Sequence, residues 1–201
     1  MVANASPEGS KTVPAELEKL ASRPFVKKVR RNLQSEQDLA FCLRPEFVAG
    51  IRLLADFGFT FDLCIRHEQL RIVAELVRPV PQVTFVLDQF GKPNVRDKQT
   101  RPRAADLKTL AVQPNVVCKI SGLTTEADWN QWQPGDLKFY FGWILECFGF
   151  DRALFGGDWP VTTLATNCGR WIQTVQDFLS FAKPLDQIKL FQTNAERIYH
   201  V

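Results

Sequence analysis

The stretch Arg152-Ala153-Leu154-Phe155-Gly156-Gly157-Asp158-Trp159-Pro160-Val161 decides how this 201-residue chain is read. Residues 153–155 form a short apolar run suited to a buried strand, two glycines free the backbone at its end, and an aspartate follows at once. Trp159 and Pro160 then stiffen the loop and give it an apolar wall. A carboxylate at the C-terminal tip of a strand lies where parallel α/β proteins build their sites, because the loops after the strands converge there. Two readings of Asp158 stand at this point: a chemically active group, or a helix cap or turn residue.

Toward the N-terminus the same motif of strand then helix recurs. Strands are expected over 26–33, 59–65, 83–90 and 116–120, the first less apolar because it carries Lys27, Lys28, Arg30 and Arg31. Helices are expected from Pro14 to Leu20, from Pro45 with the apolar face Phe47, Val48, Ile51, Leu54 and Ala55, over 68–77, over 104–111 and over 136–148. After the opening stretch, helices over 170–182, 185–191 and 194–199 close the chain. Residues 1–13 read as a polar leader or loop and 14–201 as a single partial β/α-barrel domain. Residues 91–103 form a loop long enough to reach over a site.

Connections this long imply a parallel sheet with right-handed crossovers. Two architectures compete, a (β/α) barrel and an open doubly wound sheet. No G-x-G-x-x-G or Walker motif occurs, which disfavours a nucleotide-binding sheet and leaves the α/β barrel of TIM type as the expected fold. Eight βα units ordinarily take about 250 residues, whereas five strands are readable here.

The bulk properties narrow the function. Hydrophobic residues at 45% and charged residues at 23% are those of an ordinary globular chain. A net charge of +3 with scattered Lys and Arg gives no basic patch, so no nucleic-acid partner is expected. The five cysteines are odd in number, widely spaced and free of C-x-x-C pairs, which favours a reducing, cytoplasmic setting. No run approaches the roughly 20 apolar residues of a membrane helix, so no membrane partner is expected.

Six segments together carry a family resemblance: Lys28-Val-Arg-Arg, Phe61-Asp-Leu, Phe85-Val-Leu-Asp-Gln-Phe-Gly-Lys-Pro, Cys118-Lys-Ile-Ser-Gly-Leu, Phe155-Gly-Gly-Asp-Trp-Pro-Val and Asn194-Ala-Glu-Arg-Ile-Tyr. In order and spacing they resemble the lactonase branch of the amidohydrolase superfamily, the group of L-fuconolactonase and 2-pyrone-4,6-dicarboxylate lactonase. The resemblance implies a (β/α)8 barrel lacking the first two or so βα units within this chain, with the readable strands as the fourth to the eighth. It also implies hydrolysis of a sugar lactone or related cyclic ester. Asp158 would then handle the proton of the attacking water as the catalytic residue, and Arg30 would hold substrate oxygens through its forked donors.

The departures from the family pattern shape the remaining expectations. The Asp-x-His-x-His type motif is absent, the two histidines His67 and His200 lie at no matching position, and Gln89 stands where the family has a site histidine. Glutamine neither takes up a proton near neutral pH nor ligates zinc well, so no metal and no other cofactor is expected in this chain, although intact relatives are expected to hold a zinc-like divalent ion. Gln89 is either a substrate contact or a relic. Lys119 either binds substrate or forms an ion pair with a partner such as Asp88 or Asp158. Trp159 either stacks on a sugar ring or packs, and Arg30 either binds substrate or forms a surface salt bridge. Asp88 is expected on the face opposite Gln89. The leading functional expectation is a lactonase-like hydrolase acting on a lactone or sugar-acid substrate. The alternative is a degenerate or truncated barrel without catalysis, acting in binding or in self-association through open barrel edges.

Overall fold

The computed structural model describes residues 1–9, 12–101 and 103–201. Ser10 and Lys11, in the segment read as a leader, and Pro102, in the loop read as 91–103, lie outside the described residues. Six strands form one all-parallel sheet whose spatial order is the chain order: β1 (Val2–Asn4), β2 (Lys28–Asn32), β3 (Thr60–Cys64), β4 (Phe85–Leu87), β5 (Val116–Ile120) and β6 (Ala153–Phe155). Helices α1 (Val13–Ala21), α2 (Pro45–Leu53), α3 (Leu70–Val77), α4 (Arg103–Ala111) and α5 (Pro134–Phe148) connect them. After β6 come α6 (Cys168–Phe178), α7 (Pro184–Ile188), a π-helical turn over Lys189–Thr193, and α8 (Asn194–Tyr199). These are six βα units of a TIM-type barrel, an α/β fold with helices outside a curved parallel sheet.

The side-chain period of two divides the sheet into two chemically distinct faces. One register row, Val29, Phe61, Phe85 and Val116, and a second, Leu63, Leu87, Cys118 and Ala153, are buried and belong to the main core. That core includes Phe47 and Ile51 of α2, Val73 and Val77 of α3, Leu107 and Leu110 of α4, Ile144 of α5 and Trp171 and Val175 of α6. The intervening row is Asn4, Arg30, Asp62, Val86 and Val117. It faces the barrel interior, where Val86, Val117 and Leu154 pack with Ile198, Ala195 and Tyr199 of α8. Charged residues are therefore carried on the inner face and a continuous apolar layer on the outer one.

Two sequence-based expectations need correction. The expectation of a polar leader or loop over 1–13 gives way to a strand, Val2–Asn4, in register with Lys28 to Arg30. Three residues followed by Ser6, Pro7 and Gly9 give too short a pattern to register as a strand, and only pairing with β2 stabilises it. The strand expected over 83–90 stops at Leu87 because the backbone then turns left-handed. The outer edges of β1 and β6 have no strand partner among the described residues. No described helix is long and apolar enough to cross a membrane.

Candidate active site

A cavity of about 320 Å³ opens on the inner face of the sheet, and Arg30, Gln89, Lys119, Asp158 and Trp159 all line it. Residues from four separate segments are thus brought together by the inward row of β2 and β5 and by the turns that follow β4 and β6. Arg31 points the other way, 3.0 Å from Glu8 and 2.7 Å from Glu36, so the alternation of β2 leaves Arg30 as the inward arginine.

Asp158 occupies a left-handed backbone conformation, φ 53°, three residues after Phe155 at the β6 tip. Its Oδ1 accepts a hydrogen bond from Gln89 Nε2 at 2.6 Å, while Oδ2 is buried without a partner among the described residues. Burial pushes the Asp158 carboxyl above the usual carboxylate range, and the Gln89 hydrogen bond offsets part of that rise. Gly122, φ 64°, makes the arrangement sterically feasible: a Cβ there would lie 2.5 Å from Asp158 Oδ2 and 2.9 Å from Gln89 Cγ. Trp159 stands at the rim with 78% of its surface exposed, so its indole is available rather than packed.

Gln89 reaches Asp158 because four consecutive residues, Gln89, Phe90, Gly91 and Lys92, all have positive φ. For the three that are not glycine this costs roughly 1–2 kcal/mol each, so the surroundings must impose it. One imposing contact is visible: Nη2 of buried Arg103 donates to the Phe90 carbonyl. The same turn overturns the expectation that Asp88 and Gln89 face opposite ways. Strand alternation ends at Leu87, and both side chains line the cavity.

Below this pair lies a buried charge cluster. Lys119 Nζ donates to Asp62 Oδ2 at 3.0 Å and, closer still, to Asp88 Oδ1. Lys28 Nζ is 3.4 Å from Asp62 Oδ2, and Arg30 Nη1 is 3.6 Å from Asp88 Oδ2. Burial alone would lower the Lys119 ammonium, but Asp88 and Asp62 outweigh it and hold the group charged well above the usual lysine range. Asp62 is pushed up by burial and then by the neighbouring Asp88 carboxylate. Sequence reasoning gave no role to Asp62, Lys28 or Tyr199. Asp62 was detectable as a lone carboxylate at inward parity in an otherwise apolar strand. The Tyr199 hydroxyl, buried without a partner among the described residues, has no local signal for this place, because only the fold of the C-terminal turn brings it to the cavity.

A family model described as Amidohydrolase matches residues 1–201. An L-fucono-1,5-lactonase of Burkholderia multivorans is 36% identical over 148 residues, covering 69% of this chain and 50% of the relative. An L-fucono-1,5-lactonase of Burkholderia ambifaria is 28% identical over 198 residues, covering 96% and 67%. The chain thus spans half of one curated relative and about two thirds of the other. The crystal structure of an amidohydrolase from Burkholderia multivorans with bound zinc superimposes with a TM-score of 0.93 at 27% identity, over 99% of this chain and 72% of that one.

The zinc in that relative prompts the question whether the residues here suit such an ion. They do not fit one. The carboxylates of Asp62 and Asp88 are already neutralised by lysine ammonium groups, which have no lone pair to offer, and an Asp158 oxygen is taken by an amide N–H. His67 turns its Nδ1 to the Lys92 carbonyl at 3.1 Å, away from the cavity. Among the described residues no three His, Cys, Asp or Glu side chains gather as a ligand set. Over its whole length, and in the fold that its strands build, this chain belongs to the Amidohydrolase family.

Proposed function

We propose that this chain carries the base and the substrate-holding cations of a lactonase-like hydrolase. The observation that supports the reading best is the Asp158 carboxylate, held at one oxygen by Gln89 and left with an unpartnered oxygen, beside a cavity walled by cations. In the proposed reaction a water lends its oxygen to the lactone carbonyl carbon while Asp158 takes its proton. Arg30, whose side chain is 43% exposed, and Lys28 would stabilise the charge that develops on the carbonyl oxygen. The ring carbon–oxygen bond then breaks, and the proton held by Asp158 passes to the departing ring oxygen. Trp159 would offer its exposed indole face to a sugar ring. Lys119 serves as the pin between Asp62 and Asp88 that keeps the cluster neutral enough to bury.

Asp158→Asn is expected to abolish lactone hydrolysis, about 10²-fold or more in kcat, with the unfolding transition retained. Undiminished turnover in a folded Asp158→Asn protein would remove Asp158 from the chemistry. A second reading, a barrel that binds without turnover, draws on Gln89 occupying the very carboxylate a catalyst would use. Turnover above the uncatalysed rate by the unmodified protein discriminates against it.

A further inference from the structure

Arg103 lies outside the cavity, at the start of α4, and is only 3% exposed. Among the described residues no carboxylate pairs with it. Its guanidinium sits 5.7 Å over the Tyr140 ring, its Nε has no partner among the described residues, and its Nη2 donates to the carbonyl of Phe90. Burying a whole cation to satisfy one carbonyl is a poor stability device, since desolvation outweighs what one hydrogen bond returns. The carbonyl it holds belongs to the middle of the left-handed turn, whose own internal hydrogen bond runs from Lys92 N–H to the Gln89 carbonyl at 2.8 Å. Gln89, the first residue of that turn, is the donor on Asp158.

We propose that Arg103 is a positioning residue: by clamping the Phe90 carbonyl it fixes the left-handed turn over residues 89–92 and so holds the Gln89 amide on the Asp158 carboxylate. The inference rests on the reading of Asp158 as the working carboxylate only for its consequence in catalysis, because its test reads that carboxylate without any substrate.

The test is a titration of the aspartate side-chain carbons by ¹³C NMR in the full chain, the Asp158 signal being assigned by its loss in Asp158→Asn. The charged groups near Asp158, namely Asp88, Lys119, Lys92 and Glu126, are retained in every variant. Gln89→Leu is expected to raise the Asp158 midpoint by about 1 pH unit, as loss of a hydrogen bond to the charged form requires. Arg103→Met is expected to raise it in the same direction by about half of that or more, and to speed hydrogen exchange of the Lys92 amide about tenfold while the β5 amides stay protected. Arg103→Lys, which keeps the charge and one donor, is expected to restore most of the wild-type midpoint. If Arg103→Met does not fold, Arg103→Gln takes its place, its shorter amide being unable to span to Phe90. An Asp158 midpoint within about 0.2 unit of wild type in a folded Arg103→Met or Arg103→Gln protein, with Gln89→Leu shifted, would overturn the proposal. So would an unshifted Gln89→Leu. Loss of hydrolysis in Asp158→Asn is a separate readout, so either claim can fail alone.

Discussion

At the scale of single residues, the site depends on one missing methyl group. Gly122 has φ 64° and faces Asp158 Oδ2 at a distance no Cβ tolerates. Gly122→Ala is therefore expected to destabilise the fold by about 1–3 kcal/mol and to part Gln89 from Asp158. Denaturant unfolding measures the first effect and the Asp158 titration the second; an unchanged unfolding midpoint would mean that the β5 loop yields freely. Lys119 makes the opposite kind of demand. Its ammonium has a pKa raised above the unfolded value, so its stabilising contribution is complete below the ordinary lysine range and fades only as pH rises beyond it. Lys119→Met leaves Asp62 and Asp88 facing each other and is expected to cost about 3–5 kcal/mol at neutral pH. The loss should shrink as pH falls and Asp62, whose carboxyl burial already pushes up, takes up a proton. A pH-independent deficit in urea unfolding would show that packing, not charge, is what Lys119 supplies.

At the scale of elements, one side chain ties several together. Arg152, just before β6, donates through Nη1 to the carbonyls of Ala111, Gln113 and Val116 at 2.8, 3.1 and 3.2 Å, and through Nη2 to that of Cys147 at 3.3 Å. It thereby joins the ends of α4 and α5 to the starts of β5 and β6. Arg152→Met strips those carbonyls of a donor and is expected to destabilise by about 2–4 kcal/mol, read from the denaturation midpoint; a change under about 0.5 kcal/mol would assign the carbonyls to solvent. The elements themselves were largely legible in the sequence. The boundaries of β5, β6 and α8 agree with those expected, because Val116–Ile120 and Ala153–Phe155 are short, largely apolar runs with a glycine within two residues of their ends and Asn194 opens a clear helical pattern. The misses share one cause. Val2–Asn4 becomes a strand only beside Lys28–Asn32, and residues 89–92 turn left-handed only where Arg103 and Gly122 make room and hold them. The helix expected over 185–191 breaks at Ile188 into a π-helical turn where Asn194 bonds back to the Phe150 and Ala153 carbonyls. Such features are set by tertiary contact, which a local pattern does not encode. The cavity-lining residues Arg30, Gln89, Lys119, Asp158 and Trp159 follow from strand parity, motif order and the family resemblance, whereas the ion pairs that Asp62 makes with Lys119 and Lys28 emerge only once the register is known.

At the scale of the molecule, the sheet formed by the described residues has two open edges, one at β1 and one at β6. Unpaired backbone donors and acceptors on a sheet edge attract further strands. The 201-residue chain is accordingly expected to self-associate, with a sedimentation coefficient that climbs with concentration; a constant monomer value would show that the edges are shielded. Because spatial order and chain order coincide from β1 to β6, each strand pairs only with its immediate neighbours in the chain. The sheet can therefore lengthen in the direction of synthesis, one βα unit at a time, like a ribbon paid out from a spool. No strand has to wait for more than the next one in the chain, so each crossover of a nascent chain can settle while the following one is still being translated.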